Sequence, residues 1–244
     1  MIGLIGGSGL SQLEGLILEQ QMQRETPFGE PSAPLTIGRY ADKTVAFLPR
    51  HGEHHTIPPH LINYRANIWA FHQLGVEQIL AVASVGGITE PYMPGTIALP
   101  DHLIDYSWGR ESSFASEDFS ADKHIDFTYP FDETLRQQIQ LAANSEEMTV
   151  IDGGTYAVTQ GPRLETAAEI QKLKNDGADM VGMTAMPEAA LARELNIAYA
   201  SIAVVANQAA GLSSHPLTIE AILDTMEDSM GQVRRLLKGV IPLL

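Results

Sequence analysis

The sequence predicts one α/β domain: a mixed central β-sheet with helices on both faces. Three observations carry that expectation. Gln78–Ser84 and Ile197–Ala206 are continuous apolar runs, the pattern of strands covered on both sides. Segments of helical periodicity alternate with such runs, the chain order of a layered α/β fold. The 244 residues, 44% of them hydrophobic, suffice for one sizeable core. No repeat, low-complexity stretch or linker divides them, so a single domain is expected over residues 1–244.

Each element follows from local chemistry. Ile2, Leu4 and Ile5 form a short buried strand that runs into Gly6-Gly7-Ser8-Gly9. Leu35–Tyr40 and Thr44–Leu48 flank Ala41-Asp42-Lys43 and read as a hairpin. Pro58-Pro59 open a helix to about Leu74, with Leu61, Ile68 and Trp69 on one face and Gly75 as its stop. The strand from Gln78 ends at Gly86-Gly87, and Thr96–Leu99 is a further short strand. Residues 107–129 are polar, acidic and weakly patterned, a solvated loop or a functional one. A helix spans Asp132 to about Asn144, and Thr149–Thr159 holds strands bent at Gly153-Gly154. Thr166-Ala-Ala-Glu169 is a capping box that starts a helix to Asn175. Met180–Gly182 is a strand, and Pro187 opens a helix to about Leu195. Thr218 caps a last helix whose apolar stripe is Ile222, Met226, Met230, Val233 and Leu237.

Composition narrows the partners. A formal net charge of −15 repels polyanions, which argues against nucleic acid and anionic membrane. The absence of cysteine excludes disulfides and thiolate metal sites and suits a cytoplasmic protein. Met1-Ile2-Gly3 enters a strand directly, and no apolar run approaches the ~20 residues of a membrane span.

Several residues could carry chemistry. The loop Gly6–Gly9 is either a tight turn or a cradle of backbone N–H groups for an anion, with the Ser8 hydroxyl adding a donor. It is neither a dinucleotide fingerprint nor a P-loop. Arg50 and His51 could grip an oxyanion, or form an ion pair and a packed ring. His54 and His55 follow, but only Glu53 stands near as a further ligand, so no metal site is assigned. Thr184 lies near a helix N-terminus, which favours anions. Met183 is either a surface for a sugar or core. Glu165 precedes a helix and could be a dipole partner. Asn207 ends an apolar run, as a turn residue or as a reader of a heterocycle edge.

Taken together, the motifs Ile5-Gly-Gly-Ser-Gly-Leu10, Leu48-Pro-Arg-His-Gly52, Asn63-Tyr-Arg-Ala-Asn-Ile-Trp69, Ser84-Val-Gly-Gly-Ile88, Gln160-Gly-Pro-Arg-Leu-Glu165 and Val181–Glu188 resemble the trimeric purine nucleoside phosphorylase and methylthioadenosine phosphorylase family, over essentially the whole chain. The resemblance implies phosphorolysis of a purine nucleoside, with orthophosphate as co-substrate and no metal or organic cofactor. It implies that Ser8, Arg50, His51 and Thr184 bind phosphate, with Ala83 and Ser84 passing phosphate and ribose as backbone. Met183 would lie under the ribose and Asn207 would steady the leaving base, which makes Arg50, His51 and Asn207 the catalytic set.

The same resemblance bears on the substrate. Adenine-specific members carry aspartates where this chain has Asn207 and Ala209, and a small hydroxyl residue in place of Glu165. Glu165 with Asn207 matches the enzymes for 6-oxopurines, because a carboxylate can accept the N1–H that adenine lacks. Ile219 occupies the position at which nucleoside-preferring members use a histidine for the 5′-hydroxyl, and an isoleucine suits a methylthio group. His124 matches a residue sent into the neighbouring subunit's site, which implies a homotrimer. The chain departs from the family at Leu164, where an aromatic is common, and at Leu244, short of the C-terminal helix that closes the 5′ pocket in the animal methylthioadenosine enzymes. The expected substrate is S-methyl-5′-thioinosine. The alternatives are inosine or guanosine, methylthioadenosine, and a non-catalytic purine-nucleoside sensor.

Overall fold

The computed structural model describes residues 1–23, 25–115, 119–213 and 219–244, without the side chains of residues 219–221 and 223. In chain order the elements are β1 (Ile2–Gly6), β2 (Ile17–Met22), β3 (Leu35–Tyr40), β4 (Lys43–Pro49), α1 (Tyr64–Gln73), β5 (Gln78–Gly87), β6 (Ile97–Leu99), β7 (His102–Asp105), α2 (Glu133–Ser145), β8 (Val150–Asp152), β9 (Thr155–Val158), α3 (Ala167–Asn175), β10 (Met180–Gly182), α4 (Ala185–Glu194), β11 (Ala198–Gln208) and α5 (Ile219–Val240).

The strands form one mixed sheet. The main order is β2-β3-β4-β1-β5-β10-β9-β7, and β11 pairs with β5 and β6, with β8 beyond β6. Alternation along β5 explains how both faces are covered. Ile79, Ala81, Ala83 and Val85 face the core that holds Tyr64, Ile68 and Phe71 of α1 and Ala189 and Leu191 of α4. Leu80 and Val82 face the opposite core, with Leu135 and Ile139 of α2 and Met226, Met230, Val233 and Leu237 of α5. The expected α/β layering is therefore present, and the stripe of the last helix is buried at Met226, Met230, Val233 and Leu237 and half-buried at Ile222.

The branching of the sheet opens a space. β11 runs along the whole of one edge of β5, from Ala198↔Gln78 to Gln208↔Gly87. The other edge is shared. β1 covers Gln78–Ala81, and β10 returns only at Gly86 and Gly87. Between them, residues 82–85 have no strand partner on that edge, and the ends of β1, β4 and β10 converge on the gap.

At the local level the structure changes one expectation, adds two strands and keeps two boundaries. The helix expected from Pro58 is a 3-10 turn, Pro59–Leu61, followed by α1, because Ile62 is extended and the Asn63 side chain caps the helix by accepting from the Ala66 N–H. β5 ends at Gly86-Gly87 as expected, and both glycines are paired on both edges. Two strands, β2 and β7, carry no sequence pattern strong enough to predict them, since β2 is mostly exposed and β7 exposed or half-buried. Met186 interrupts the start of α4 with extended backbone, so regular helix begins at Pro187 as expected. Thr218, expected as the cap of α5, lies outside the described residues.

Candidate active site

A cavity of about 700 Å³ opens at the gap in the sheet. Its wall brings together Ser8, Arg50, His51, Ala83, Ser84, Leu164, Glu165, Met183, Thr184, Asn207 and Ala209. Eleven positions scattered from residue 8 to residue 209 thus share one surface, Ala83 and Ser84 from the middle of β5 and the others from strand ends or the segments that follow them.

The floor is the glycine loop after β1. A Cβ on Gly7 would stand 2.5 Å from the Val82 carbonyl oxygen and 3.0 Å from Arg50 Nη1, so only glycine lets the loop lie this close to β5 and the guanidinium. Gly9 has φ +79° and faces Met230 and Met226 of α5. The loop is tied to β4 by the Arg50 N–H, which donates to Gly6 O at 2.9 Å.

Arg50 is 1% exposed and makes a two-pronged ion pair with Glu188 of α4. Its Nε and Nη2 each donate to a Glu188 oxygen at 2.7 Å, and Nη1 donates to Val82 O at 2.8 Å. Tyr199 Oη donates to the same carboxylate at 2.7 Å. Burial alone would lower the Arg50 pKa, but the Glu188 carboxylate outweighs it and holds the pKa above the ordinary value. Three of the five guanidinium N–H groups are spent on this anchoring, and two remain on Nη1 and Nη2. Sequence reasoning missed Glu188 as a partner, although Pro187-Glu188 at a helix start would have suggested a dipole role for it.

His51 is held differently. Its Nδ1 lies 2.9 Å from Ile57 O, and its pKa is lowered to about 4, first by burial and then by the Arg50 charge. The ring is therefore neutral near pH 7, and the carbonyl partner assigns the proton to Nδ1. That leaves Nε2 as an acceptor. The expected donor role is thus reversed for the neutral ring: an oxyanion must bring a proton to Nε2 or induce its protonation.

Thr184 is buried at the N-terminus of α4; its hydroxyl makes no capping bond and interacts instead with the buried Tyr156 hydroxyl at the cavity wall. Glu165 does not act as a dipole partner; the capping box of α3 is filled by Thr166 and Glu169. Glu165 Oε1 instead accepts from Thr159 Oγ1 at 2.6 Å, which fixes the carboxylate and leaves Oε2 open. Asn207 owes its direction to an irregularity in β11. The register against β5 shifts between Val205 and Asn207, and this bulge turns the side chain out of simple alternation. Asn207 Nδ2 donates to Gln208 O at 2.7 Å, so one amide hydrogen and Oδ1 remain.

The last helix adds Ile222 and Met226 to the wall, and the turn before α1 adds Ile57, Pro58 and Pro59. The sequence singled out Ile222 and Met226 only as core. Ile219 begins α5, and its side chain lies outside those described. His124 is not in this cavity: it lines a separate surface groove with Phe114, Asp122, Arg193 and Glu194. Among the described residues no cluster of metal-ligating side chains occurs, and no helix is long and apolar enough to cross a membrane.

Comparison with known proteins points to one family. The pattern of the phosphorylase superfamily matches residues 1–242. The "probable S-methyl-5′-thioinosine phosphorylase" of Pseudomonas syringae pv. tomato is 50% identical over 238 residues, covering 98% of this chain and 97% of that one. The 6-oxopurine nucleoside phosphorylase of Pyrococcus furiosus is 40% identical, covering 100% of this chain and 92% of that one. The structure of methylthioadenosine phosphorylase from Schistosoma mansoni in complex with adenine superposes with a TM-score of 0.94 at 32% identity, over 99% of this chain and 91% of that one.

Proposed function

The chain belongs to the phosphorylase superfamily, and from that premise we propose that it converts S-methyl-5′-thioinosine and orthophosphate into hypoxanthine and 5-(methylthio)ribose 1-phosphate, a salvage reaction. One observation carries the choice of substrate. Glu165 and Asn207, with Ala209 in place of an aspartate, share a cavity with the apolar Ile222 and Met226 of α5. A carboxylate with one free oxygen can accept N1–H, and the free amide hydrogen of Asn207 can donate to O6. An apolar α5 wall can cover a methylthio group but offers no partner to a 5′-hydroxyl.

The mechanism follows from the two ends of the cavity. Phosphate sits against the N–H groups of Gly7–Gly9, the hydroxyls of Ser8 and Thr184, the backbone at Ala83 and Ser84, and the two unspent N–H groups of Arg50. Because Glu188 already balances Arg50, this subsite attracts phosphate through directed donors rather than through net charge. A phosphate hydroxyl donates to His51 Nε2. Cleavage of the bond between C1′ and N9 leaves positive charge on the ribose, which lies on Met183, and negative charge on the base. The phosphate stabilises the first and then attacks C1′, while the free Asn207 amide hydrogen donates to O6 and stabilises the negative charge on the departing base. The base takes its proton from solvent at N7, where Asn207 Oδ1 can then accept a hydrogen bond from N7–H. In this reading orthophosphate is a co-substrate, and no metal or organic cofactor enters.

The assembly proposed is a cytoplasmic homotrimer. His124 lines its own surface groove rather than the cavity, so a part for it at a nucleoside site requires the cavity of a neighbouring copy.

Steady-state kcat/KM for methylthioinosine, methylthioadenosine, inosine and guanosine, each with phosphate, tests the substrate. Methylthioinosine is expected to lead. A lead for methylthioadenosine overturns the assignment of Glu165 and Asn207, and a lead for inosine overturns the apolar 5′ wall. Base release measured with and without phosphate separates the classes: none in either condition indicates a sensor, and release without phosphate indicates a hydrolase. Sedimentation reads the trimer.

A further inference from the structure

Arg110 has no part in the site as described, yet it binds both segments that carry the nucleoside-facing residues. It lies in the acidic 107–129 connection and is half-buried. Its Nη1 donates to Met183 O at 2.7 Å and Met186 O at 2.5 Å, with Tyr64 Oη at 3.4 Å. Its Nη2 donates to Gln160 O at 2.9 Å and Thr159 O at 3.2 Å, and its Nε reaches Gln160 Oε1 at 3.2 Å. The guanidinium also stands 5.5 Å from the centre of the Tyr64 ring.

The topology explains why these carbonyls are available. The parallel ladder between β9 and β10 ends at Val158↔Gly182, followed by one bond from the Thr159 N–H to Gly182 O. Beyond it the two segments diverge around the cavity, one toward Glu165 and the other to Met183 and Thr184. Past the ladder the carbonyls of both segments need partners other than a neighbouring strand. Arg110 takes four of them at once, two from each segment. The segments also touch directly, since a Cβ on Gly161 would lie 2.4 Å from Met183 Sδ.

We infer that Arg110 is a positioning residue for base selection, a guanidinium clamp that sets the separation between the base reader Glu165 and the ribose floor at Met183. This rests on the proposed nucleoside site. The planar fork can serve two divergent segments, whereas a lysine ammonium is a single point of charge that serves one of them. The clamp holds Thr159 O while Thr159 Oγ1 holds Glu165, so its loss moves the carboxylate relative to N1 of the base. Of the proposed phosphate subsite only Thr184 lies between clamped carbonyls, those of Met183 and Met186, whereas the glycine loop, Arg50, Glu188 and β5 lie outside the clamp.

The test uses the full-length enzyme, Arg110→Lys and Arg110→Ala. It reads KM for nucleoside and for phosphate separately, the ratio of kcat/KM for methylthioinosine to methylthioadenosine, and the thermal midpoint. In both variants KM for nucleoside is expected to rise about tenfold or more and the ratio to fall by about tenfold, with KM for phosphate within about twofold of wild type. An unchanged ratio in a folded variant overturns the inference. So does a parallel rise in both KM values, or a failure of both variants to fold, since either makes Arg110 a general structural residue. A wild-type enzyme without preference for methylthioinosine overturns the reading of the site itself, which separates that failure from failure of the clamp.

Discussion

The two ends of the cavity are built on opposite plans. At the phosphate end, Arg50 and Glu188 are essentially unexposed, and the Arg50–Glu188–Tyr199 cluster is tied to Val82 of the central strand and to the glycine loop. At the base end, Leu164 is 40% exposed, Glu165 and Asn207 are half-buried, and their side chains are fixed by single hydrogen bonds at 2.6 Å and 2.7 Å. In the proposed reading, phosphate chemistry thus rests on interlocked strands, whereas substrate choice rests on the loop that carries Glu165 and on the bulged end of β11 that carries Asn207. A rigid scaffold with selective loops is the general arrangement by which one fold serves several substrates.

The largest effect should come from breaking the interlocked end. Glu188→Ala leaves the buried Arg50 guanidinium without its counter-charge and the Tyr199 hydroxyl without its acceptor. We expect a loss of about 3–5 kcal/mol in urea unfolding at pH 7, together with loss of phosphorolysis. A loss below about 1 kcal/mol would remove the contrast between the two ends.

His51 gives the next effect and a pH signature. The unfolded ring takes up its proton near pH 6.5, the folded one only near pH 4, because burial and then Arg50 oppose the charge. Between those values the unfolded chain binds more protons, so this contribution to stability is complete above pH 6.5 and is lost as pH falls toward 4. At pH 5 the loss relative to pH 8 is about 2 kcal/mol. His51→Asn should flatten that part of the stability profile without phosphate; a slope identical to wild type would show that His51 is not the group responsible.

Asn207→Asp probes the other end. A carboxylate repels O6 and accepts from the adenine 6-amino group, so the ratio of kcat/KM for methylthioinosine to methylthioadenosine should fall by about tenfold or more. Glu165 remains suited to N1–H, so the reversal should be incomplete. Thermal stability should change little, in contrast to Glu188→Ala, because the Asn207 side chain donates locally, to the adjacent Gln208 carbonyl.

The same contrast explains what the sequence made legible. The buried strands β1, β5 and β11 and the amphipathic α5 were readable because apolar patterning records burial directly. So were the glycine loop and the capping box of α3, where backbone geometry restricts residue type. β2 and β7 were not, because exposed or half-covered strands leave no such pattern. The start of α1 was misplaced because Pro58-Pro59 mimic a helix opening while Asn63 supplies the cap. Residues that line the cavity stood out through their motifs, but their partners did not. Glu188 lies 138 positions from Arg50, and Arg110 lies 73 from Met183. Long-range pairing of this kind, like the bulge that aims Asn207, depends on sheet order rather than on any local signal.

The smallest expected effect sharpens the comparison most finely. Thr159→Val preserves shape but removes the hydroxyl that donates to Glu165 Oε1. The carboxylate stays in place on the loop and loses only its orientation, at a cost of about 0.5–1.5 kcal/mol. KM for methylthioinosine should rise about two- to tenfold while KM for phosphate stays constant. Thr159→Ser keeps the donor and should restore the wild-type value. If Thr159→Val instead raises both KM values together, the two ends are mechanically coupled through β9 and β10, and the separation of a fixed phosphate end from an adjustable base end fails at the strand they share.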